Sequence, residues 1–136
     1  MRAAFTLIET LIVCVIIGIA AAIAAPAFRT AIDSMAVEGA ARDAVNAFAL
    51  GRLAALTHGG SEVRLDSLGA TVFAAGRVLH TRPIARVHKV RMRASPSLVR
   101  YAATGLAFGL SNGSVILSRG RAVDTVFVSR LGRVRR

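Results

Sequence analysis

Eighteen consecutive residues, Leu11 to Phe28, carry no charge, and between Phe5 and Phe28 the single charged side chain is Glu9. As a helix, the 24 residues from Phe5 to Phe28 would reach roughly 36 Å, against a bilayer hydrocarbon core of about 30 Å. Arg2 and Arg29 bracket the run. The small residues Ala20 to Ala25 would suit a cleaved secretory signal. Against that stand a basic region of one residue, Arg2, a carboxylate at Glu9 inside the apolar run, and Pro26 directly after the small residues. The segment is read as a retained anchor, with the N-terminus in the cytoplasm and the rest of the chain across the membrane.

The remaining chain must reconcile this apolar start with a net charge of +11 from 18 basic and 7 acidic residues. The two properties lie in different halves. Residues 1–60 hold Arg2, Arg29, Arg42 and Arg52 against Glu9, Asp33, Glu38 and Asp43, and are neutral. Residues 61–136 hold fourteen basic groups against Glu62, Asp66 and Asp124, so the whole excess belongs there. Lys89 is the only lysine; arginine is the cation suited to bidentate phosphate or carboxylate contacts. A length of 136 residues excludes a large multidomain enzyme, and an apolar fraction of 54% excludes a disordered polyelectrolyte.

Helical character continues past Phe28. Residues 29–57 are rich in alanine and lack proline, and Phe28, Ile32, Met35, Val45, Ala49, Leu53 and Leu56 recur at helical spacing, which predicts that they form the buried face of an amphipathic continuation over 29–58. His58-Gly59-Gly60 supplies the stop. From residue 59 to 136 the pattern changes to short β-prone runs: Glu62–Asp66, Thr71–Ala74, Arg77–His80, His88–Arg93, Leu98–Tyr101, Leu106–Leu110, Ser114–Ser118 and Thr125–Ser129. Asn112-Gly113 predicts a tight hairpin. The fold class expected is α+β, a long N-terminal helix packed on a small antiparallel β head that needs the helix to complete its core.

Glu9 requires a reason, because a carboxylate in an apolar membrane segment costs about 2.5–3.5 kcal/mol and ordinarily has a partner. Phe5-Thr6-Leu7-Ile8-Glu9 followed by an unbroken apolar helix resembles the N-terminal signature of type IV pilins and type II secretion pseudopilins. The resemblance implies a leader of residues 1–4, cleavage between Ala4 and Phe5 by a prepilin peptidase, and methylation of the new Phe5 amine. It also implies that Glu9 pairs with the terminal amine of a neighbouring subunit, so that Phe5 and Glu9 act in assembly. Pro26 matches the proline of that family's helix; Ala4 departs from the family's usual glycine before the cut. The implied home is the bacterial inner membrane, with the subunit drawn into a pilus or pseudopilus beside other pilin-like subunits.

The stretch Leu50-Gly51-Arg52-Leu53-Ala54, the expected strand-hairpin Leu106–Leu117 and the ending Val126 to Arg135 are similar to the FimT and GspH group of minor pilins and pseudopilins. Gly132-Arg133-Val134-Arg135 resembles the tail through which FimT-type minor pilins bind DNA in natural transformation. That resemblance implies double-stranded DNA as a partner and Arg130, Arg133, Arg135 and Arg136 as its contacts, with Arg86, Lys89, Arg91, Arg93, Arg119 and Arg121 available to widen the footprint. With one Tyr and no Trp, binding is expected to be led by phosphate contacts. The alternative is a GspH-like minor pseudopilin that contacts other tip subunits or exported protein. An anchored enzyme is the weakest reading. His58, His80 and His88 lack metal-ligand spacing, no nucleophile motif appears, and no catalytic residue, metal or cofactor is expected. Cys14, the only cysteine, lies in the apolar helix and cannot form an intramolecular disulfide.

Overall fold

The computed structural model describes residues 6–109 and 112–136. The chain forms two compact units, one ending at Ile32 and the other running from Asp33 to Arg136. A single helix, α1 (Leu7–His58), supplies the first unit and opens the second. At its start the Thr6 Oγ1 accepts a hydrogen bond from the Glu9 N–H at 3.3 Å, satisfying one of the helix's unpaired donors. At its end Gly59 takes φ 79°, the left-handed conformation that glycine enters without steric cost, as the sequence predicts.

In the first unit the large apolar side chains, Leu7 through Ile23 and on to Phe28 and Ile32, are all exposed. This part of α1 is long and apolar enough to cross a membrane, with a mean hydropathy of 2.7 over its most apolar 18 residues. Pro26 lies within the helix, and Thr30 Oγ1 donates to the Pro26 carbonyl at 3.1 Å.

In the second unit the face that α1 buries is made of small residues. Val37, Ala40, Ala41, Ala44, Ala47, Phe48, Gly51, Ala54 and Ala55 recur at steps of three and one, and all are buried. The expected core face is corrected here: Met35, Leu53 and Leu56 are exposed, as are Phe28 and Ile32 in the first unit, and Val45 is only partly buried. Close approach decides this. A Cβ on Gly51 would collide with the Val63 side chain, and one on Gly39 would lie 2.8 Å from the His88 ring, so a larger residue on this face would hold the sheets away. The Ser61 hydroxyl seals the contact by donating to the Gly51 carbonyl at 2.6 Å.

The head holds two antiparallel sheets rather than one. The first has the order β3-β2-β1-β5-β6, from β1 (Gly60–Leu65), β2 (Ala70–Ala74), β3 (Arg77–Arg82), β5 (Leu98–Ala102) and β6 (Ala107–Phe108). The second has the order β4-β7-β8-β9, from β4 (Arg91–Ser95), β7 (Gly113–Arg119), β8 (Ala122–Val128) and β9 (Val134–Arg135). Strands β1, β2, β5 and β7 alternate buried and outward residues, as half-buried strands must. Val63, Leu65, Val72, Val99 and Tyr101 of the first sheet join Met92, Val115, Leu117, Val126 and Val128 of the second in one core with the alanine face of α1.

Two expected elements differ. The predicted strand His88–Arg93 is the end of a short helix, α2 (Ile84–His88), then Lys89 at φ 53°, then β4 from Arg91. Pro83 begins that helix where a sheet ladder would lack a donor, and Ile84, fully buried, anchors it. The predicted hairpin Leu106–Leu117 is instead a crossing between sheets: β6 pairs with β5, whereas β7 pairs with β4 and β8. Leu110 and Ser111 lie outside the described residues. The tight hairpins fall at Ala75-Gly76 and Gly120-Arg121, where Ala75, Gly76 and Gly120 adopt positive φ.

Candidate functional site

Arginine's first use in the head is to hold carboxylates. Asp33 receives Arg119 at 2.8 Å, Asp43 receives Arg82 at 2.9 Å and His88 at 2.8 Å, and Glu62 receives Arg100 at 3.0 Å and Arg64 at 3.3 Å. Glu38 receives Arg42 at 2.7 Å and Arg136 at 3.3 Å, and Arg136 also pairs with Asp124. Asp66 accepts the Leu68 and Gly69 N–H groups at 2.7 and 2.8 Å, closing the β1–β2 loop. Every carboxylate from Asp33 onward is therefore occupied within the fold.

Three of these links brace α1. Asp43 joins the helix to β3 and α2 through Arg82 and His88; Arg119 reaches both Asp33 and the His88 carbonyl, the latter at 3.0 Å; Arg136 ties the chain terminus to Glu38. The Asp43 carboxyl is pulled two ways. Burial raises its pKa, and hydrogen bonds from Arg82 and His88 override that, leaving it below its ordinary value. Glu38 is lowered by hydrogen bonds from Arg42 and Arg136, and Glu62 by the hydrogen bond from Arg64 first and then Arg100.

The tail is built into the second sheet. Strand β9 pairs with β8 in the register Phe127↔Arg135 and Val128↔Val134, and the Ser129 N–H donates to the Arg133 carbonyl at 2.8 Å. Gly132 makes this possible. It has φ 75°, and a Cβ there would lie 2.8 Å from the Tyr101 ring, so the turn passes directly over that buried tyrosine. Among the described residues the Tyr101 hydroxyl has no hydrogen-bond partner, and burial pushes its pKa up to about 12. Arg130, Arg133 and Arg135 are exposed and carry no carboxylate partner among the described residues. The Arg136 guanidinium is engaged by Asp124 and Glu38 and clasps the tail to the fold.

Of the arginines expected to widen the footprint, Arg119 is engaged by Asp33. Arg91 and Arg93 are exposed on β4, on the face opposite the buried Met92. Their partners in register are Ser118 and Ile116, which share that face with Val123, Thr125 and Phe127 of β8 and Arg135 of β9. Phe127 is 56% exposed, a surface aromatic that the sequence reading missed. It sits inside the all-apolar triplet Val126-Phe127-Val128, where alternation gives no hint of which side chain faces out. On the other sheet a row of Phe73, Glu62, Arg100 and Phe108 crosses the outer face, with Arg64 stacked 4.5 Å over Phe73. Its two cations, Arg64 and Arg100, share Glu62, so its surplus of charge is smaller.

Glu9 is exposed on the first turns of α1 without an ion-pair partner among the described residues. Ala4 and Phe5 lie outside the described residues. The family model for the prokaryotic N-terminal methylation motif matches residues 1–25, the stretch holding the processing site, Glu9 and the start of the apolar helix. In fold, the chain is similar to the type IV minor pilin FimU of Pseudomonas aeruginosa strain PAO1 in two crystal forms. The TM-scores are 0.61 and 0.58 at 12% and 11% identity, covering 73% and 72% of this chain and 86% and 90% of FimU. The chain is type IV pilin-like. No curated protein matches it in sequence. For a pilin-like subunit, the motif implies processing by a peptidase and assembly with other subunits, and the apolar helix fits a membrane anchor.

The depressed carboxylates set an acid limit on the head. Because Glu38, Asp43 and Glu62 titrate lower in the folded state than the ordinary range of about 4, their contribution is fully present above that range and is lost as pH falls through their folded values. The melting temperature followed by circular dichroism should be flat between about pH 5 and 7 and fall steadily below about pH 4. A head as stable at pH 3 as at pH 7 would show that these pairs do not hold it.

Proposed function

We propose that the chain is a minor pilin of the FimT type, processed between Ala4 and Phe5 and held in a filament by pairing of Glu9 with a neighbour's Phe5 amine. Its cytoplasmic N-terminus leaves the basic head on the outer side of the inner membrane, where Arg130, Arg133 and Arg135 bind double-stranded DNA without sequence preference. The observation that carries the DNA reading is the distribution of charge. The acids of the head are held by fold-bracing contacts, while exposed arginines without carboxylate partners among the described residues remain on the tail and on β4, and also at Arg77, Arg86 and Arg121. Such a surface attracts a polyanion and releases its counterions on contact. The assembly reading is supported by α1 itself, whose exposed Met35, Leu53 and Leu56 offer a neighbouring subunit bulky apolar contacts.

One observation favours the second reading, a GspH-like pseudopilin. Ile116, Val123, Phe127 and Leu131 are exposed apolar residues of the second sheet and its following loop, and such a patch suits a protein partner.

Glu9→Ala should leave the protein inserted in the membrane but excluded from the filament, as read by membrane fractionation and by immunoblot of sheared filaments; incorporation at the normal level would contradict the assembly role. For DNA, fluorescence anisotropy of a labelled duplex with the full-length protein in detergent should give log affinity falling linearly with log salt. Joint Arg133→Ala and Arg135→Ala substitution should reduce that slope by about 1.8, from about 0.9 per phosphate contact. An unchanged slope, or no binding at low salt, would favour the secretion reading.

A further inference from the structure

The outer face of the second sheet combines features that a duplex-binding tail does not require. Its register places Arg91 and Arg93 on β4, Ser114, Ile116 and Ser118 on β7, Val123, Thr125 and Phe127 on β8, and Arg135 on β9. Cations therefore stand at both edges, about 14 Å apart across three strand spacings. Between them lie apolar residues and hydroxyls, and no carboxylate projects from this face. Asp66 borders its β4 end with Oδ1 accepting from the Leu68 and Gly69 N–H groups. Phe127 sits beside Arg135 and is 56% exposed, and no other described element covers it.

Geometry selects among nucleic acids. The grooves of a DNA duplex admit a helix or a two-stranded ribbon, and a four-stranded sheet face is too broad to enter either. A duplex resting on this face would meet the edge arginines with its phosphates and leave Phe127 and Ile116 uncovered, because its base faces are already stacked within the helix. An unpaired strand presents both a charged backbone and a free base face, and sheet surfaces with an outward aromatic take bases by stacking. We propose that this face is a platform for single-stranded DNA, with an unpaired base stacked on Phe127 and phosphates held by Arg91, Arg93 and Arg135. The inference rests on the DNA reading above and extends it from the tail to the sheet.

The test uses the full-length protein in detergent, a labelled oligothymidine strand, and a labelled duplex of the same length. Phe127→Ala should weaken oligothymidine binding by about five-fold to about 150-fold, the worth of one base–aromatic stack, and leave duplex binding unchanged. Phe127→Trp should retain single-strand binding, and because residue 127 points outward, all variants should keep the wild-type circular dichroism spectrum. Joint Arg91→Ala and Arg93→Ala substitution should lower the salt slope for oligothymidine by about 1.4, from about 0.7 per contact. If Phe127→Ala alters neither affinity, or alters both equally, the platform is refuted while a tail-dependent duplex affinity would leave the DNA reading intact. If the unaltered protein binds neither probe, both proposals fail together.

Discussion

Both sheets of the head rest on one strip of small residues. Along α1, Ala40, Ala41, Ala44, Ala47, Gly51, Ala54 and Ala55 contribute little volume, so β1 and β5 can approach until the Val63 and Tyr101 side chains lie against the helix at Gly51. Burial of apolar surface drives this packing at about 25 cal/mol per Å², and the small residues determine where the sheets stop. The turn at Gly132 depends in turn on Tyr101, because the chain passes directly over that ring before β9 begins. A bulkier helix face would lift β5 and with it the support of the arginine tail. The same arrangement directs Met35, Leu53 and Leu56 outward, so the bulky apolar face remains available for contacts beyond the head.

Charge is distributed over this frame in two ways. Where α1 meets the head, Asp33, Glu38 and Asp43 each hold a cation from a distant part of the chain, namely Arg119, Arg136, and Arg82 with His88. These pairs, half-buried at Asp33 and Asp43 and exposed at Glu38, orient elements that the core holds and add an increment of stability that depends on the carboxylates staying ionised. The remaining arginines of the head have no carboxylate partner among the described residues; they include Arg77 on β3, Arg86 on α2 and Arg121 in the β7–β8 turn as well as those of the tail and of the outward face of β4. A head that neutralises its own acids exposes a nearly uncompensated positive surface, and that property, rather than the total of +11, bears on what it binds.

Much of this was legible in the sequence. The uncharged run, Glu9, and the glycine stop after His58 are local signals, and they predicted a long helix followed by a β head. The buried face of that helix was misread because hydrophobicity ranks Leu53 and Leu56 above Ala54 and Ala55, whereas the deciding quantity is the distance between helix and sheet. The alternation of Lys89, Arg91 and Arg93 with apolar residues predicts a strand from His88, whereas Lys89 takes the left-handed C-cap conformation that ends α2 and β4 starts only at Arg91. The capture of Arg136 by Asp124 and Glu38 is not legible in the sequence, since those carboxylates are 12 and 98 residues away. Likewise the outward placement of Phe127 follows from the β8 register rather than from its apolar neighbours.

One side of the head, the tail together with the outer face of the second sheet, is the proposed nucleic-acid surface. Ultraviolet cross-linking of DNA to the full-length protein, followed by mass-spectrometric mapping of the modified peptides, examines that surface residue by residue. Cross-links are expected on the segment from Val123 to Arg135 and on β4, and none on the row formed by Phe73, Glu62, Arg100 and Phe108. Cross-links concentrated on that row or on the exposed face of α1, with the tail unmodified, would contradict it.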